Sequence, residues 1–213
     1  MIIMSKKVLI IGVGSGLGKS LATKFAQEGN DLILIARQKE NLEKIAAEVN
    51  TGVDIQTYAA DVTDEADYAR VLTIIQQEEI SGFIYNVGIT APDNDNFTRD
   101  DLEKHFQADV AGAYQTVVAL HDNLVATKGF ALFTGGIAGV TPFPGFMGLS
   151  VAKAGLRNMV QLLNTTLKTS GIFAGTITVG GVIKPDTHFA PDLIAEKFVE
   201  LAQERNVWEV NYQ

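Results

Sequence analysis

The chain has 213 residues, 46% of them hydrophobic and 20% charged, so it can bury a core and does not have a disordered composition. Seventeen Lys and Arg against 25 Asp and Glu give a net charge of −8, and no basic run suits a nucleic-acid partner. The absence of cysteine excludes a disulfide framework, thiolate metal clusters and cysteine nucleophiles.

The same sequence contains no signal for a membrane, for export or for a metal. The opening MIIMSKK is too short for the apolar region of a signal peptide. No apolar run approaches the roughly 20 residues that cross a bilayer. His105, His121 and His188 are scattered without ligand spacing, so no metal site is predicted. We expect a cytoplasmic protein with a single domain over residues 1–213.

Along the chain, short runs rich in β-branched residues alternate with segments whose apolar residues recur every three or four positions. The predicted strands are Val8–Ile11, Leu32–Ile35, Ile55–Ala60, Phe83–Tyr85, Ala131–Phe133, Thr176–Val179 and, last, Val207–Val210. The predicted helices are Leu17–Gln27, Leu42–Val49, Glu65–Gln77, Asp100–Val125, Gly148–Lys168 and Pro191–Glu204. Strands that are apolar throughout have helices on both faces. The pattern therefore predicts an α/β protein with a doubly wound parallel sheet of six to seven strands.

A glycine-rich segment joins the first strand to the first helix. Gly12 would form the tight turn, Gly16 would let the backbone approach a pyrophosphate, and Gly18 would permit close packing of helix on strand. Such a loop at a helix N-terminus binds the phosphates of a dinucleotide, as in a Rossmann-type sheet. A phosphate-binding P-loop is the alternative reading of Gly18-Lys19-Ser20, but it requires a glycine where Val13 stands.

The end of the second strand favours NADP over NAD. An NAD site usually has Asp or Glu at this point to hold the ribose 2′-hydroxyl, whereas arginine accommodates a 2′-phosphate. Ala36 provides no carboxylate and Arg37 provides a guanidinium. The alternative is that Arg37 is an ordinary solvated arginine, with Lys39 and Lys44 nearby.

With these residues placed, the chain resembles the short-chain dehydrogenase/reductase superfamily over essentially its whole length. Gly12–Gly18, Ala60–Val62, Tyr85–Gly88 and Ser150–Ala154 match four family motifs in order. The resemblance implies an NADP site on a Rossmann-type sheet. The cofactor contacts it implies are Gly12, Ser15, Gly16, Leu17, Gly18, Arg37, Asp61, Val62, Asn86, Gly88, Lys153 and Ile183.

The catalytic positions depart from the family pattern. Leu149 stands where the family has its catalytic tyrosine, Gly136 where it has the serine, and Asp109 where it has the relay asparagine. Of the four residues only Lys153 remains, and it could still bind the nicotinamide ribose. Leucine donates no proton to a developing alkoxide, so standard catalysis is not possible.

Two hydroxyls and the lysine are the remaining candidates for catalysis. Ser150 precedes Lys153 by three residues and shares its helical face, which is also the spacing of a Ser–Lys dyad. The simpler reading is that the family often has serine there. Thr134 shares a strand face with Gly136, displaced by roughly 6.6 Å. Asp109 is either the partner of Lys153 or a solvated charge.

Two functions follow from these residues. The first is an NADP-dependent oxidoreductase with an atypical active site, acting on a small molecule. The second is a non-catalytic NADP-binding protein that serves as a sensor or regulatory partner. Phe143, Phe146 and Met147 either line a substrate pocket or pack in the core. The family pairs subunits through two long helices, here Asp100–Val125 and Gly148–Lys168, which implies a homodimer or homotetramer.

Overall fold

A computed structural model describes residues 6–49 and 52–213. Most of the opening MIIMSKK segment, on which the reading of the N-terminus rested, lies outside these residues. The strands are β1 Lys7–Ile11, β2 Asp31–Ala36, β3 Ile55–Ala59, β4 Ile80–Tyr85, β5 Phe130–Gly136, β6 Phe173–Val179 and β7 Glu209–Tyr212. The helices are α1 Leu17–Gln27, α2 Lys39–Val49, α3 Glu65–Ile75, α4 Arg99–Phe106, α5 Gly112–Thr127, α6 Met147–Leu167 and α7 Pro191–Glu204.

The strands form one parallel sheet in the order β3-β2-β1-β4-β5-β6-β7. Successive side chains on a strand point to opposite faces, and both faces are buried here. Leu9 and Ile11 contribute to the core beneath α3, α5 and α6, whereas Val8 and Ile10 contribute to the core beneath α1, α2 and α7. The prediction of a doubly wound α/β sheet, with seven strands, is therefore confirmed.

The predicted long helix over 100–125 is interrupted. The structure has α4, then a π-helical turn at Gln107–Ala111, then α5. The turn inserts one residue into the helical repeat and directs Asp109, which has no exposed surface, toward the interior. The buried hydroxyl of Tyr85 donates a hydrogen bond to the Ala108 carbonyl at 2.6 Å, within the same turn. Single π turns of this kind often occur at functional sites.

The last strand begins two residues later than the sequence predicts, because Glu209 is anchored to the sheet. Arg157 on α6 donates two hydrogen bonds to the Glu209 carboxylate at 2.8 and 2.7 Å, and Thr178 on β6 donates one at 2.7 Å. Val207, which the sequence places in the strand, is 48% exposed and precedes it. Within the described ranges, no helix combines the length and the apolar character needed to cross a membrane.

Candidate functional site

The strand order reverses around β1, which has β2 on one side and β4 on the other. In open α/β sheets ligands bind in the crevice beyond the carboxyl ends of the strands at such a point. The structure has a cavity of about 610 Å³ there, lined by the loops that follow β1, β2, β3 and β4. Of the residues predicted to contact the cofactor, those that line it are Gly12, Ser15, Arg37, Asp61, Val62, Asn86 and Gly88.

The glycine-rich loop forms the floor of this cavity. Gly12 has a φ of +87°, and a Cβ there would lie 2.3 Å from the Asn86 carbonyl oxygen, so only glycine fits. A Cβ on Gly18 would lie 2.6 Å from the Gly12 carbonyl oxygen. A Cβ on Gly16, in contrast, meets no atom within 4 Å. The loop is therefore packed closely on its strand side and open on its other side.

The N-terminus of α1 has no side-chain cap. Gly16 is the N-cap residue and supplies no side-chain acceptor to the helix. The first amides of a helix have no acceptor within the helix itself, and they carry a partial positive charge. The α1 N-terminus therefore has donors available for an anion.

One end of the cavity carries positive charge. Arg37 follows β2 and is exposed, and its guanidinium forms no hydrogen bond or ion pair with any residue in 6–49 or 52–213. Lys44 lines the same end. Lys19 contacts Glu48 at 2.7 Å across the rim, and this hydrogen bond lowers the pKa of the exposed Glu48 carboxyl. Arg37 is thus available for an anionic ligand, whereas Lys19 is already paired with Glu48.

Asp61 and Val62 line the cavity after β3. The Asp61 carboxylate accepts hydrogen bonds from the Thr63 amide at 2.9 Å and the Thr63 hydroxyl at 2.7 Å, both on Oδ1. These bonds hold the carboxylate at the cavity wall.

At the opposite end, Asn86 connects three strands. Its side-chain amide donates to the Gly12 carbonyl at 3.0 Å, and its backbone amide donates to the Ile11 carbonyl at 2.8 Å. The Thr134 hydroxyl on β5 donates to the Asn86 Oδ1 at 2.8 Å. The proton of Thr134, a predicted catalytic candidate, is therefore engaged in this network.

Lys153 on α6 is buried, with a side chain only 6% exposed, and its ammonium donates two hydrogen bonds and forms one ion pair. Asp109 Oδ1 lies 2.6 Å from Nζ, the Thr134 carbonyl oxygen 3.0 Å and the Val87 carbonyl oxygen 3.2 Å. The side chain of Asp109 is fully buried. Of the two readings left open by the sequence, an ion pair with Lys153 or a solvated charge, the structure has the ion pair.

The positions of the family's tyrosine and serine hold no acid. Leu149 is half-buried on the first turn of α6, and a Cβ on Gly136 meets nothing within 4 Å. Ser150 is buried beside Leu149, and its Oγ accepts a hydrogen bond from the Phe143 amide at 3.4 Å. No hydrogen bond joins Ser150 to Lys153 in the described part of the chain.

Several predicted contacts lie outside the cavity lining. Gly16, Leu17 and Gly18 lie at the start of α1, Lys153 lies on α6, and Ile183 lies on the exposed segment after β6. Of the apolar residues around the start of α6, Phe143 is 44% and Met147 58% exposed, so these two do not pack in the core.

Sequence reasoning missed Asp93. Its carboxylate accepts hydrogen bonds from the Met147 amide and, at 3.2 Å, from the Gly148 amide, and so caps the N-terminus of α6. Its position in a Pro- and Asn-rich loop was the only signal available in the sequence. This cap ties the loop after β4 to the helix that carries Lys153.

A family model described as short chain dehydrogenase matches residues 6–191. The chain belongs to this family. An uncharacterized oxidoreductase of Listeria monocytogenes is 27% identical over 185 residues, which are 84% of this chain and 74% of that protein.

Solved structures of other proteins share the fold. The L-sorbose reductase of Gluconobacter frateurii, complexed with NADPH and L-sorbose, superimposes with a TM-score of 0.88 at 23% identity, over 97% of this chain and 92% of that one. A short-chain dehydrogenase of Sphingobium yanoikuyae in complex with NADPH gives a TM-score of 0.86 at 24% identity, over 95% and 86% of the two chains.

Proposed function

We propose that this short chain dehydrogenase binds NADP(H) in the crevice between Arg37 and Gly88 and prefers it to NAD(H). The observation that carries the proposal is the free guanidinium of Arg37, which follows Ala36 at a point where an NAD site would have a carboxylate. A 2′-phosphate is the group that a planar, always charged guanidinium binds best. The NADPH complexes of two proteins with this fold support the same assignment.

The residues present fit a dinucleotide diphosphate as well. The α1 N-terminus offers uncapped amides, and the side of Gly16 that a Cβ would fill is open. Arg37 and Lys44 would hold the 2′-phosphate, and Asp61 would accept a hydrogen bond from the adenine amino group. When bound, NADP(H) would supply or accept a hydride.

We propose oxidoreductase activity toward a small carbonyl or alcohol as the first candidate function, in keeping with the Listeria oxidoreductase and the sorbose reductase. The residues of this chain would orient the cofactor, but Gly136 and Leu149 themselves carry no acid. Thr134 donates to Asn86, and Ser150 lies beneath the Phe143 loop. The proton would then come from an ordered water or from Ser150, whose hydroxyl accepts from the Phe143 amide and donates to no described residue.

The engaged proton of Thr134 and the lack of an acid at Leu149 and Gly136 favour a second candidate, a non-catalytic NADP(H)-binding protein. In this case the crevice would keep its nucleotide-binding residues, and the protein would report the NADP(H) level to a partner. The unpaired Arg37 would be retained and the reaction would not take place.

Titration with NADPH and NADH, followed by a turnover screen, tests these proposals. Binding of NADPH at least about tenfold tighter than NADH supports the cofactor assignment. Equal affinities, or no binding, contradict it. Turnover of any carbonyl or alcohol at about 1 s⁻¹ or faster establishes the oxidoreductase and excludes the non-catalytic role. No turnover across a broad panel, together with tight NADPH binding, establishes the non-catalytic role.

We also propose that two copies associate through α5 and α6. These helices expose large apolar side chains that include Tyr114 and Val118 on α5 and Val151 and Leu162 on α6, with Leu162 60% exposed. Sedimentation velocity should show a dimer or tetramer, and Val118→Asp should lower its mass. A monomer at micromolar concentration would contradict the pairing.

A further inference from the structure

Two exposed segments follow neighbouring strands of the sheet. Residues 141–147 lead from β5 to α6, and residues 180–190 lead from β6 to α7. The two strands pair in parallel as far as Gly136 and Val179. Both segments therefore leave the sheet at the edge where the cofactor cavity lies, and side chains from both can contact one ligand there.

The segment before α6 exposes apolar side chains and is held in place. Its sequence, TPFPGFM, contains no charged residue, and both Phe143 and Met147 are exposed. Asp93 accepts a hydrogen bond from the Met147 amide, and its own amide donates to the Gly145 carbonyl at 2.8 Å. These contacts fix the segment, so its apolar surface faces solvent in the folded chain.

The segment after β6 is held by the last strand. The Gly180 amide donates to the Tyr212 carbonyl at 2.7 Å, and the Tyr212 hydroxyl donates to the His188 carbonyl at 2.8 Å. The rings of His188 and Tyr212 stack with their centroids 4.8 Å apart. Between these contacts Val182 is 83% and Ile183 36% exposed. Two more apolar side chains are therefore held in solvent at this edge of the sheet.

These apolar side chains lie next to the positions of the family's catalytic groups. Gly136 ends β5, and Leu149 is on the first turn of α6. The Phe143 amide donates a hydrogen bond to a hydroxyl on the same turn. Lys153, one turn later, lies beside the cavity wall, because a Cβ on Gly88 would be 3.0 Å from its Nζ. A compound bound between the two segments would therefore reach the Gly88 end of the proposed NADP(H) site.

The charge distribution around the two segments favours an uncharged compound. No charged residue occurs from 129 to 152 or from 171 to 183. Lys184 is the first charged residue after β6, and Lys153 is paired with Asp109. Removing a carboxylate or phosphate from water without a partner costs much free energy, whereas covering apolar surface is favourable. This surface therefore suits an apolar group.

We propose that the compound bound beside the NADP(H) site is a carbonyl compound or alcohol with a bulky, uncharged apolar group, which contacts Phe143, Met147 and Val182. The inference rests on the proposed NADP(H) site and specifies the substrate class. It concerns binding, so it applies to an oxidoreductase and equally to a protein that senses the compound. A carbonyl compound as small as acetone would leave most of this surface exposed and would bind weakly.

Two ketones that differ in one group test the preference for an uncharged compound. 4-Methylacetophenone and 4-acetylbenzoate have similar shapes, and the second has a carboxylate in place of a methyl group. Calorimetric titration of the full chain saturated with NADP⁺ measures both dissociation constants without turnover, because the oxidised cofactor has no hydride to donate. We expect 4-methylacetophenone to bind at least about tenfold tighter. Equal affinities, or tighter binding of 4-acetylbenzoate, overturn the proposal.

Two variants test the contacts. Phe143→Ser and Val182→Ser change exposed side chains, so the core is unaffected. Each should weaken binding of 4-methylacetophenone about fivefold and leave the NADP⁺ dissociation constant unchanged. Wild-type affinity for this ketone in both variants overturns the proposal.

Val207→Ser is the matched control. Val207 is 48% exposed, close to the value for Phe143, but it precedes β7 and so lies at the opposite end of that strand from Tyr212. Its replacement should leave both dissociation constants unchanged. A loss of ketone affinity as large as that in Phe143→Ser would show non-specific apolar binding and would overturn the proposal.

Failure of this inference and failure of the NADP(H) proposal give different results. Binding of NADP⁺ without binding of either ketone overturns the apolar ligand alone. If a second copy of the chain covered this surface instead, Phe143→Ser would lower the mass measured by sedimentation velocity, and that result also overturns the inference. Wild-type protein that does not bind NADP⁺ overturns the NADP(H) proposal and this inference with it.

Discussion

Replacing Arg37 by leucine should remove the preference for NADP(H) without affecting folding. The guanidinium is exposed and without a partner in the described chain, so no internal contact is lost in Arg37→Leu. Hydrogen bonds to a charged group contribute about 1.5–3 kcal/mol, and exposure to solvent reduces this to about 1–2 kcal/mol. The NADPH dissociation constant should therefore rise roughly 5- to 30-fold. The NADH constant should change by less than about twofold, because NADH has no 2′-phosphate.

Lys39→Leu is the matched control. Lys39 lies two residues from Arg37, carries the same charge, pairs with Glu43 at 3.6 Å and does not line the cavity. Its removal should weaken NADPH binding by less than about twofold, through screened long-range electrostatics alone. The reasoning is refuted if Arg37→Leu weakens NADPH and NADH equally, or if Lys39→Leu has the same effect as Arg37→Leu.

Three further predictions concern stability and are measured by urea unfolding. Gly18→Ala should lower the free energy of unfolding by about 3 kcal/mol or prevent folding, because its Cβ would lie 2.6 Å from the Gly12 carbonyl oxygen. A urea midpoint near that of the wild type would contradict the close packing of α1 on β1. Asp93→Ala should lower the free energy of unfolding by about 1 kcal/mol, because the α6 cap is lost. An unchanged free energy of unfolding would show that the cap does not stabilise the fold. Burial raises the pKa of Tyr68 and of Tyr85 above the ordinary value, so the folded chain keeps protons that the unfolded chain releases. Stability should fall above pH 10 by roughly 1.4 kcal/mol per pH unit for each tyrosine, and a flat profile to pH 11 would contradict this.

Much of the fold follows from local patterns in the sequence. Val8–Ile11 and Leu32–Ile35 are apolar at every position, as expected of a strand covered on both faces, and both are interior strands of the sheet. The glycine positions follow from the same logic, since Gly12 needs a positive φ and Gly18 needs to be free of a Cβ. Each of these requirements concerns a single residue, so it can be recognised in the sequence.

The polar contacts that join Asn86 to Thr134 and Asp109 to Lys153 could not be predicted from local patterns, because the partners are far apart in the chain. Thr134 and Asn86 are 48 residues apart, and their contact depends on the pairing of β4 with β5. Asp109, which pairs with Lys153, lies in a π turn that no residue pattern in the sequence predicts. Helical spacing places Ser150 on the face of Lys153, but the loop before α6 folds back, and Ser150 Oγ accepts a hydrogen bond from the Phe143 amide instead of contacting Lys153.

A crystal structure of the chain with NADPH tests the central claim most directly. The NADP(H) site predicts the 2′-phosphate within hydrogen-bond distance of the Arg37 guanidinium and the diphosphate at the amides that begin α1. NADPH bound elsewhere on the molecule, or bound with its 2′-phosphate in solvent away from Arg37, would contradict the account.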